Sequence, residues 1–509
     1  MYLMGTDIGT QGTKTILVTD SGAVVSESFR EYGVITPKPT WAQQWPDVWL
    51  DAVVETVRET VEKSGVEASE IAGITISGLY GGSGVPVDRD INPIFPCLIW
   101  MDRRAREQTQ WVKENVPLEM IFGVTGNYVD SYYGFTKMMW IRDNLPDIWR
   151  RTFQFVTPKD YVIYRLTGEL STDFSSAGNI GGLLNIRTRQ WSQEMSEALS
   201  IPLEKLPQKL IRSSDIAGYI NSEFSLITGL LEGTPVISGG IDAPVAQFSA
   251  GVLEEGEHVA MAGTSMCWGT VHDGKNLTPG LISFPYVVYE DKKMYTFGGS
   301  ATSGALARWF RDQFGQYEKE VQDRTGISAY SLLELEAKNI QIGSEGLVVL
   351  PYFMGERSPI WDPDARGTIL GLSLYHTKAH VYRALLEATA YSLKHNMEEA
   401  TKAGIELDSE CYIVGGVARS DFWVQILADV TGFGMKRLAK DVEAPLGDCF
   451  LAGLGTGVID RPERIKEWLE FRSTVLPEAD TASLYRDYYE IFKELYRNTA
   501  ELARRLVDL

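Results

Sequence analysis

"MGTDIGTQGTK", residues Met4–Lys14, is the segment from which the architecture can be inferred. A run of apolar and small residues leads to a single acid, Asp7, and a turn rich in glycine and hydroxyl groups follows over Gly9–Thr13. Glycine allows close backbone approach, and the amides of such a turn can bind an anion. The order predicts a strand that ends in a carboxylate and then a hairpin turn that faces a phosphate. An ordinary β-hairpin is the alternative for this turn taken alone.

The same arrangement recurs in the second half of the chain. The segment "VAMAGTSMCWGTVHDG", Val259–Gly274, again reads as a strand, a Gly-Thr turn, a second strand and a polar hairpin. Two copies of one hairpin predict two domains with similar cores. We expect residues 1–250 to form the N-terminal domain and residues 251–509 the C-terminal domain, with the boundary near Gly240–Gly256.

Length and composition limit the possible functions. A chain of 509 residues is too long for one compact core, and 44% hydrophobic and 23% charged residues are ordinary for a globular protein. The net charge of −20 argues against nucleic acid or an anionic membrane as the main partner. A small phosphorylated ligand stays possible, because a few amides and one lysine can bind it locally.

Cysteine spacing and hydropathy indicate a cellular location. The four cysteines, Cys97, Cys267, Cys411 and Cys449, are far apart and form no CxxC pair, which argues against a disulfide framework and a structural zinc site. No segment is long and apolar enough to span a bilayer, and no secretory signal is recognisable. We therefore expect a cytoplasmic protein.

Short runs of β-branched residues alternate with amphipathic helical segments along the whole chain. This alternation predicts an α/β architecture of sheets covered by helices. The predicted strands are Thr15–Asp20, Ile71–Gly78, Thr234–Gly240, His258–Gly263, Gly346–Phe353 and Cys411–Gly416. The predicted helices are Pro46–Lys63, Met101–Asn115, Ala379–Ala403, Asp421–Thr431 and a C-terminal helix within Thr481–Leu509.

A phosphate site in this chain has to be built from hairpin turns, because neither GxxxxGK[ST] nor GxGxxG occurs. Asp7, at the end of the first strand, is the candidate for contact with Mg²⁺, since the Mg²⁺ that accompanies a nucleotide is usually held by one or two carboxylates. The candidate phosphate contacts are Thr10, Gln11, Gly12, Thr13 and Lys14 in the first turn and Gly263, Thr264 and Ser265 in the second.

A second acid follows a predicted strand in "SGGIDAPVAQFSAG", Ser238–Gly251. Asp242 stands where a helix begins, so a helix cap is its alternative role. The two glycines before it are interpreted as leaving space for a ligand beside the carboxylate. Phosphoryl transfer to a hydroxyl needs a carboxylate that accepts the proton, which makes Asp242 the candidate catalytic base.

The chain resembles the FGGY carbohydrate kinases over nearly its whole length, and within them most resembles the xylulokinase branch. "MGTDIGTQGTK" is similar to their first phosphate loop, "GGID" to their catalytic segment and "AGTS" to their second phosphate loop. Further similar segments are "LPYFMGERSP" (the Gly-Glu-Arg loop), "GTILGLSLYHTKAHVYRALLEA" (the second family signature) and "GGVARSDFWVQILADVTG" (the adenine-side stretch).

The resemblance implies both a fold and a reaction. It implies two ribonuclease-H-like domains of the actin and sugar kinase superfamily that flank a central cleft, with sugar on the N-terminal side and ATP on the C-terminal side. It also implies Asp242 as general base, Asp7 near Mg²⁺, and Gly415 and Gly416 against adenine. The expected activity is ATP-dependent phosphorylation of a sugar hydroxyl, most simply on a ketopentose such as xylulose, with Mg-ATP between the two phosphate hairpins. Homodimers are common among the relatives, so a homodimer is an open expectation.

Departures from the xylulokinase pattern leave the substrate open. Leu79 and Tyr80 stand where that branch usually has Met-His, Ala243 stands in place of an asparagine, and Gly134 in place of proline, serine or threonine. The lost imidazole and amide are each worth about 1–3 kcal/mol of discrimination. The alternatives are kinases for another ketose, a polyol or a sugar acid (ribulose, glycerol, erythritol, gluconate) and, more distantly, an actin-like ATPase.

Two pairs of charged residues complete the candidates. Asp102 and Arg103, which follow the apolar run "CLIW", are candidate sugar contacts together with Leu79 and Tyr80, and a surface ion pair is the alternative. Glu356 and Arg357 are expected to order the loop between the domains, with direct phosphate contact as the alternative.

Overall fold

Two separate β-sheets organise the two halves of the molecule in a computed structural model that describes residues 1–440 and 442–507. The strands of the N-terminal half are β1 (Tyr2–Ile8), β2 (Gly12–Thr19), β3 (Val24–Glu31), β4 (Gln43–Gln44), β5 (Ile71–Gly78), β6 (Val85–Val87), β7 (Cys97–Leu98), β8 (Gln154–Val156), β9 (Thr172–Asp173), β10 (Leu184–Asn185), β11 (Gln190–Trp191), β12 (Leu210–Ile211), β13 (Ile216–Tyr219) and β14 (Pro235–Ile237). Its helices are α1 (Asp47–Ser64), α2 (Arg106–Asn115), α3 (Leu118–Thr125), α4 (Gly134–Asn144), α5 (Pro146–Arg151), α6 (Pro158–Thr167), α7 (Phe174–Asn179), α8 (Gln193–Leu199), α9 (Ser222–Thr228) and α10 (Asp242–Ser249).

The C-terminal half has longer helices around its sheet. Its strands are β15 (His258–Ala262), β16 (Met266–His272), β17 (Ile282–Pro285), β18 (Met294–Ser300), β19 (Val348–Leu350), β20 (Thr368–Leu370), β21 (Glu410–Val414), β22 (Gly434–Leu438) and β23 (Phe471–Val475). Its helices are α11 (Gly304–Phe314), α12 (Gln316–Thr325), α13 (Ala329–Ala337), α14 (Lys378–Lys402), α15 (Asp421–Thr431), α16 (Ala444–Thr456) and α17 (Ala482–Val507).

The two main sheets share one topology. The first has the order β13-β14-β5-β1-β2-β3, in which β1, β5 and β14 run parallel and β2 and β3 complete an antiparallel edge. The second has the order β17-β18-β16-β15-β21-β22-β23, in which β15, β21 and β22 run parallel. β1 and β15 therefore occupy equivalent central positions. The duplicated α/β core predicted from the repeated hairpin is confirmed.

The central strands are apolar because helices cover both faces of the sheet. β5, with the sequence IAGITISG, is buried along nearly its whole length, as a parallel strand between two helical layers requires. Trp49, Val53 and Val57 of α1 pack in one cluster with Leu17 and Ile74 on the first sheet. The register aligns Ile8 with both Thr13 and Gly78, so the turn after β1 and the chain after β5 lie at the same edge.

Two helices connect the sheets through a shared core. α10 and α16 pack against each other, and α16 also lies on β1 and β5. Gly5 permits this crossing, since a Cβ there would lie only 2.1 Å from the carbonyl oxygen of Pro445. α16 belongs to the C-terminal half of the sequence yet covers the N-terminal sheet, and the domain division at residue 250 stays a prediction.

Most predicted elements are found in the structure. Ile71–Gly78 and Asp421–Thr431 coincide with β5 and α15, and each other predicted strand overlaps an observed one. The C-terminal helix is present as α17, with residues 508 and 509 outside the described range. The helix predicted from Met101 begins only at Arg106, because the Asp102 carboxylate accepts the backbone N–H groups of Ala42 and Arg104 and favours a turn. Within residues 1–440 and 442–507, no helix is long and apolar enough to cross a bilayer.

Candidate active site

A cavity of about 880 Å³ lies where the carboxyl ends of the central strands of both sheets meet. Ligand sites of α/β sheets form at such strand ends. Ten of the predicted site residues line it: Asp7, Thr10, Gly12, Lys14, Tyr80, Asp242, Gly263, Thr264, Ser265 and Gly415. The fold thus brings residues from both halves of the chain to one cavity.

The first turn is held in place by its neighbours. The N–H of Gly9 donates to the carbonyl of Gly12 at 2.9 Å, which closes the hairpin. Trp100 Nε1 donates to Thr10 Oγ1 at 2.9 Å, and the Tyr32 hydroxyl donates to the Gly9 carbonyl at 2.7 Å. Because Trp100 and Tyr32 hold Thr10 and Gly9 in place, the turn presents a defined backbone conformation to the cavity.

The second turn is fixed by the start of a helix. The N–H of Gly263 donates to the Ser265 carbonyl at 2.9 Å, as in the first hairpin. The N–H groups of Ser303 and Gly304, at the beginning of α11, donate to the carbonyls of Thr264 and Gly263. Gly415 approaches the same turn: a Cβ at this residue would lie 2.6 Å from the Ala262 carbonyl oxygen, and its φ is +90°. Only glycine fits there.

Asp7 and Asp242 both line the cavity, and their carboxyl groups influence each other electrostatically. Burial raises the pKa of Asp7, the charge of Asp242 raises it further, and the hydrogen bond from Ser77 opposes both effects. Burial likewise raises the pKa of Asp242. In the part of the chain that the structure describes, neither carboxylate forms an ion pair with a basic side chain. Two unpaired carboxylates in one cavity suit a bound cation.

Asp242 is the first residue of α10, and its side chain is not the helix cap. Its Oδ1 accepts the N–H of Ala243 at 2.7 Å. The loop before it is anchored by buried polar groups: Lys159 Nζ donates to the Ser238 carbonyl at 3.0 Å, and the N–H of Ile241 donates to Ser175 Oγ at 3.1 Å. The carboxylate is therefore held by its backbone and left accessible to the cavity.

The two glycines before Asp242 have a different role from the one inferred from the sequence. A Cβ at Gly239 would lie 2.1 Å from the Ile76 carbonyl oxygen, and one at Gly240 would lie 2.7 Å from Val287 and 3.0 Å from Ser175 Oγ. Protein atoms fill the space that was expected to accept a ligand. The interpretation of ligand space was wrong. Gly239 instead lets the loop pass close to β5, and Gly240 lets it pass close to Ser175 and Val287.

Aromatic rings line another part of the cavity. Tyr80 packs on Tyr132 with ring centroids 4.9 Å apart, and both rings face the cavity. The N–H of Gly134, the first residue of α4, donates to the Tyr80 hydroxyl. A Cβ at Gly134 would lie 1.9 Å from the Gly82 carbonyl oxygen and 3.2 Å from the Tyr80 hydroxyl. The two sequence departures at Tyr80 and Gly134 are thus linked in space.

Further residues line the cavity outside the predicted site, among them Trp100, Asn179 and Arg357, the last of which was expected to order a loop. Trp100 lies at the end of "CLIW", Asn179 ends α7, and Arg357 belongs to the Gly-Glu-Arg loop. The Asn179 side chain is buried, and its Oδ1 has no hydrogen-bond partner among the described residues. Arg357 lies over the Trp100 ring at 5.6 Å. The motifs around Trp100 and Arg357 gave a signal in the sequence, whereas nothing in the sequence distinguished Asn179.

Models of known families match both halves of the chain. The model of the N-terminal domain of the FGGY family of carbohydrate kinases matches residues 2–249, and that of the C-terminal domain matches residues 258–455. The chain belongs to the FGGY family of carbohydrate kinases. It is accordingly a kinase that transfers a phosphoryl group from ATP to a sugar hydroxyl.

Individual relatives of this FGGY kinase match from end to end. A xylulose kinase of Bacillus subtilis (strain 168) is 30% identical over 504 residues, which cover 98% of this chain and 98% of that protein. A gluconokinase of the same strain is 28% identical over 497 residues, covering 97% and 96%. The crystal structure of xylulose kinase from Rhodospirillum rubrum has a TM-score of 0.88 at 25% identity and covers 99% of this chain and 100% of that chain.

Six predicted site residues of the FGGY kinase do not line the cavity: Gln11, Thr13, Leu79, Asp102, Arg103 and Gly416. Gln11 is exposed, and the buried Thr13 hydroxyl bonds the Tyr32 hydroxyl at 3.1 Å. Leu79 is buried in the core of the first sheet. Gly416 is exposed next to Gly415 and has open space around it.

The prediction for Asp102 needs a correction, whereas that for Arg103 is not contradicted. Asp102 is fully buried, pairs with Arg104 at 2.8 Å and binds the Ala42 N–H, so its oxygens are occupied away from the cavity. Arg103 pairs with Asp130 at 2.5 Å. Asp102 is therefore not placed to contact a ligand in the cavity. Arg103 lies over the Tyr132 ring at 5.7 Å, and its contact with the sugar stays a prediction.

Glu356 and Arg357 turn away from each other. Glu356 Oε1 accepts the N–H groups of Ala301 and Arg357 at 2.8 Å, and burial raises the pKa of its carboxyl to about 7. The Arg357 guanidinium points to the cavity and contacts Cys267 Sγ at 3.6 Å and the Ser300 carbonyl at 3.4 Å. Among the described residues, no carboxylate lies within ion-pairing distance of it.

Proposed function

We propose that this FGGY kinase phosphorylates a ketopentose such as xylulose, with Asp242 as the general base. The observation that carries the proposal is the shared cavity: two unpaired carboxylates, Asp7 and Asp242, face the same space as both Gly-Thr turns. Similarity to xylulose kinases over the whole chain supports the choice of sugar.

Asp242 would accept the proton of the attacking sugar hydroxyl. The new P–O bond forms between that oxygen and the γ-phosphorus of ATP, while the bond from phosphorus to ADP breaks. The raised pKa of the buried carboxyl makes it a stronger base than an exposed aspartate. Because Ala243 N–H is its only hydrogen-bond donor among the described residues, one oxygen stays available for the substrate.

Asp7 would hold the Mg²⁺ that accompanies ATP. Within residues 1–440 and 442–507 its carboxylate forms no ion pair with a basic side chain, and one or two carboxylates are enough for this ion, which keeps several of its waters. When bound, Mg²⁺ neutralises charge on the transferring phosphates.

The two turns would bind the ATP phosphates from opposite sides. Thr10 and Gly12 of the first turn and Gly263–Ser265 of the second line the cavity. Gly415 and Gly416 would let the adenine ring lie against the backbone, in line with the open space at Gly416. Lys14 is a weaker candidate, because its ammonium is 2.8 Å from Glu443 and 3.3 Å from Glu27.

The sugar would lie against Tyr80, Trp100 and Tyr132. Asn179 adds an amide whose oxygen has no partner among the described residues, and this group compensates for the amide that Ala243 lacks. A sugar hydroxyl would satisfy that buried oxygen.

A sugar acid such as gluconate is the second candidate substrate. The specific observation in its favour is Arg357, whose guanidinium faces the cavity without a carboxylate within ion-pairing distance in the described residues. Arginine matches a carboxylate in charge and in fork geometry. The gluconokinase relative at 28% identity fits this alternative.

A substrate panel in a coupled ADP-release assay tests the proposal. The panel contains xylulose, ribulose, glycerol, erythritol and gluconate, each assayed with the wild type and with Asp242→Asn. Xylulose is expected to give the highest kcat/KM. A higher value for gluconate would select the sugar acid, and ADP release independent of any of these compounds would contradict a sugar kinase and favour an actin-like ATPase.

The working form is proposed to be a cytoplasmic homodimer. All four cysteines are free thiols, as expected in a reducing compartment. The segment 369–375 exposes apolar side chains, Ile369, Leu370, Leu372, Leu374 and Tyr375, which suits contact with a second copy of the chain.

A further inference from the structure

A cluster of buried polar side chains contacts the loop that carries Asp242. Lys159, Asp160, Asp173 and Ser175 are each at most 1% exposed, and none of them lines the cavity. Burying an ion pair costs desolvation energy, which is recovered only when further hydrogen bonds complete the cluster. Two of the bonds that do so go to the backbone of residues 238–241, directly before Asp242.

Lys159, near the start of α6, holds the first residue of this loop with its ammonium group. Its Nζ lies 2.6 Å from Asp160 Oδ1 and 3.0 Å from Asp173 Oδ1, and it donates to the Ser238 carbonyl at 3.0 Å. An ammonium group carries three N–H donors, and three oxygens surround this one. Hydrogen bonds from a charged donor are stronger than neutral ones, so the Ser238 peptide is firmly anchored.

Asp173 determines the direction in which the Ser175 hydroxyl donates. The Asp173 side chain caps α7, where its Oδ2 accepts the N–H groups of Ser175 and Ser176 at 2.8 Å and 3.2 Å. The same oxygen accepts the Ser175 hydroxyl, and the N–H of Ile241 donates to Ser175 Oγ at 3.1 Å. Because serine has a single O–H, donating it to Asp173 leaves the Ser175 oxygen as the acceptor for Ile241.

The Ile241 peptide determines how Asp242 enters α10. Its N–H is held by Ser175, and its carbonyl accepts the N–H of Val245 at 3.2 Å in the first turn of the helix. A rotation of this peptide would redirect the Cα–Cβ bond of Asp242 and with it the carboxylate that lines the cavity. A base has to lie within hydrogen-bond reach of the proton that it accepts, so a small displacement lowers its efficiency.

We propose that Ser175 is a positioning residue for Asp242. Asp173 orients the Ser175 hydroxyl, the hydroxyl holds the N–H of Ile241, and the carboxylate of Asp242 is directed to the cavity as a result. Lys159 supports this arrangement at two points, the Asp173 carboxylate and the start of the loop. The inference rests on the proposed role of Asp242 as general base.

Removal of one hydroxyl tests this role. In Ser175→Ala the Ile241 N–H loses its acceptor, whereas Asp173 keeps two backbone N–H donors and its contact with Lys159. Because a misplaced base is inefficient, kcat should fall roughly 10- to 100-fold with little change in the KM for ATP. Ser176→Ala is the matched control. Ser176 is the next residue of α7 and is also buried, but its hydroxyl has no hydrogen-bond partner among the described residues, so kcat should stay at the wild-type value.

A double variant separates positioning from general structural damage. Combined with Asp242→Asn, which already lacks the proton acceptor, Ser175→Ala should lower the remaining kcat by less than about twofold. A loss as large as in the wild-type background would overturn the proposal, and so would a wild-type kcat in Ser175→Ala alone. Full turnover in Asp242→Asn alone would instead refute the proposed base, and its positioning with it.

Amide hydrogen exchange provides a measurement without substrate, and circular dichroism verifies that each variant is folded. In Ser175→Ala the amide of Ile241 should exchange at least about fivefold faster than in the wild type, because it has lost one hydrogen bond. The amides of α15, in the other half of the molecule, should keep their exchange rates. An unchanged rate at Ile241 would mean that Ser175 does not hold this peptide, and the proposal would fall.

Discussion

Asp242 gives a direct test of the proposed chemistry. Asp242→Asn keeps the size of the side chain but removes the proton acceptor, so kcat should fall by about 10²–10⁴. The affinity for ATP should change little, because the turns and Gly415 lie on other elements of the cavity. Steady-state kinetics with the best sugar of the panel and calorimetry with ADP measure the two quantities. Full turnover in the variant would remove Asp242 from the mechanism.

The same carboxyl predicts a pH dependence of activity. Burial raises the pKa of Asp242 above its ordinary value of about 4, with Asp7 and Tyr132 as its titratable neighbours. A general base works only when it is deprotonated, and the protonated fraction grows as the pH falls. kcat/KM should therefore decline on the acid side with a midpoint above about pH 4. A profile that stays flat down to that pH would indicate an unperturbed carboxylate.

Asn179 should contribute to sugar binding. Replacing it with alanine removes an amide whose oxygen is buried and has no protein partner among the described residues. Loss of one hydrogen bond to a substrate is worth about 1–3 kcal/mol, so the KM for the sugar should rise roughly 5- to 150-fold with little change for ATP. Asn144→Ala, at an exposed position in the last turn of α4, is the matched control. Equal KM values in both variants would place the sugar elsewhere.

Individual site residues were predictable where a local pattern carries the chemistry. Asp7, Asp242, Gly12 and Gly263 follow strands in a recognisable order, and all four line the cavity. Asn179 follows no such order, since its exposure to the cavity depends on how α7 packs. The prediction for Asp102 was wrong although a local pattern was present. An acid after an apolar run is typical of a ligand-binding residue, but the oxygens of Asp102 bind Arg104 and the Ala42 N–H.

The crossing of β1 and α16 predicts a strong effect of one methyl group. In Gly5→Ala the new Cβ would lie 2.1 Å from the Pro445 carbonyl oxygen and 2.7 Å from the Cys449 nitrogen. Overpacking of this kind costs about 1–3 kcal/mol, so the free energy of unfolding should fall by at least about 1 kcal/mol. Urea denaturation followed by circular dichroism measures the change.

Gly33→Ala is the control for this substitution. A Cβ at Gly33 would meet no atom within 4 Å, so this variant should match the wild type or exceed it slightly, because alanine restricts the unfolded chain. Equal stability of the Gly5 and Gly33 variants would mean that α16 does not contact β1 as closely as described.

Helices and strands were predicted well where their own hydrophobic periodicity determines them. They were predicted less well where packing against a distant element determines their position. The apolar run of β5 and the helical spacing of α15 fix both elements locally, and the repeated hairpin correctly indicated two sheets of one topology. No local pattern shows that α16 returns from the C-terminal half to cover the N-terminal sheet. That arrangement depends on the lack of a Cβ at Gly5, a residue far away in the sequence.

The whole molecule couples its two halves through α10 and α16. α10 begins with Asp242, and α16 carries Asp448, so both connecting helices bear acids beside the cavity or beneath it. A relative movement of the sheets would change the distance between the two Gly-Thr turns. Closure around ATP and sugar would then exclude water from the γ-phosphate, as kinases require to limit hydrolysis.

The last prediction concerns assembly into a homodimer. The segment 369–375 follows the edge of the small sheet formed by β19 and β20, and Leu374 is fully exposed while Leu372 is 63% exposed. Adjacent apolar side chains on a surface favour burial against another chain, and aspartates there would repel a second copy. Size-exclusion chromatography with light scattering should give twice the chain mass for the wild type and the monomer mass for the double variant Leu372→Asp with Leu374→Asp.

Leu226→Asp is the control for these substitutions. It alters a leucine that is 86% exposed on α9, and this variant should remain dimeric. A wild type with the mass of one chain would contradict the homodimer, and a double variant with the mass of two would place the interface elsewhere.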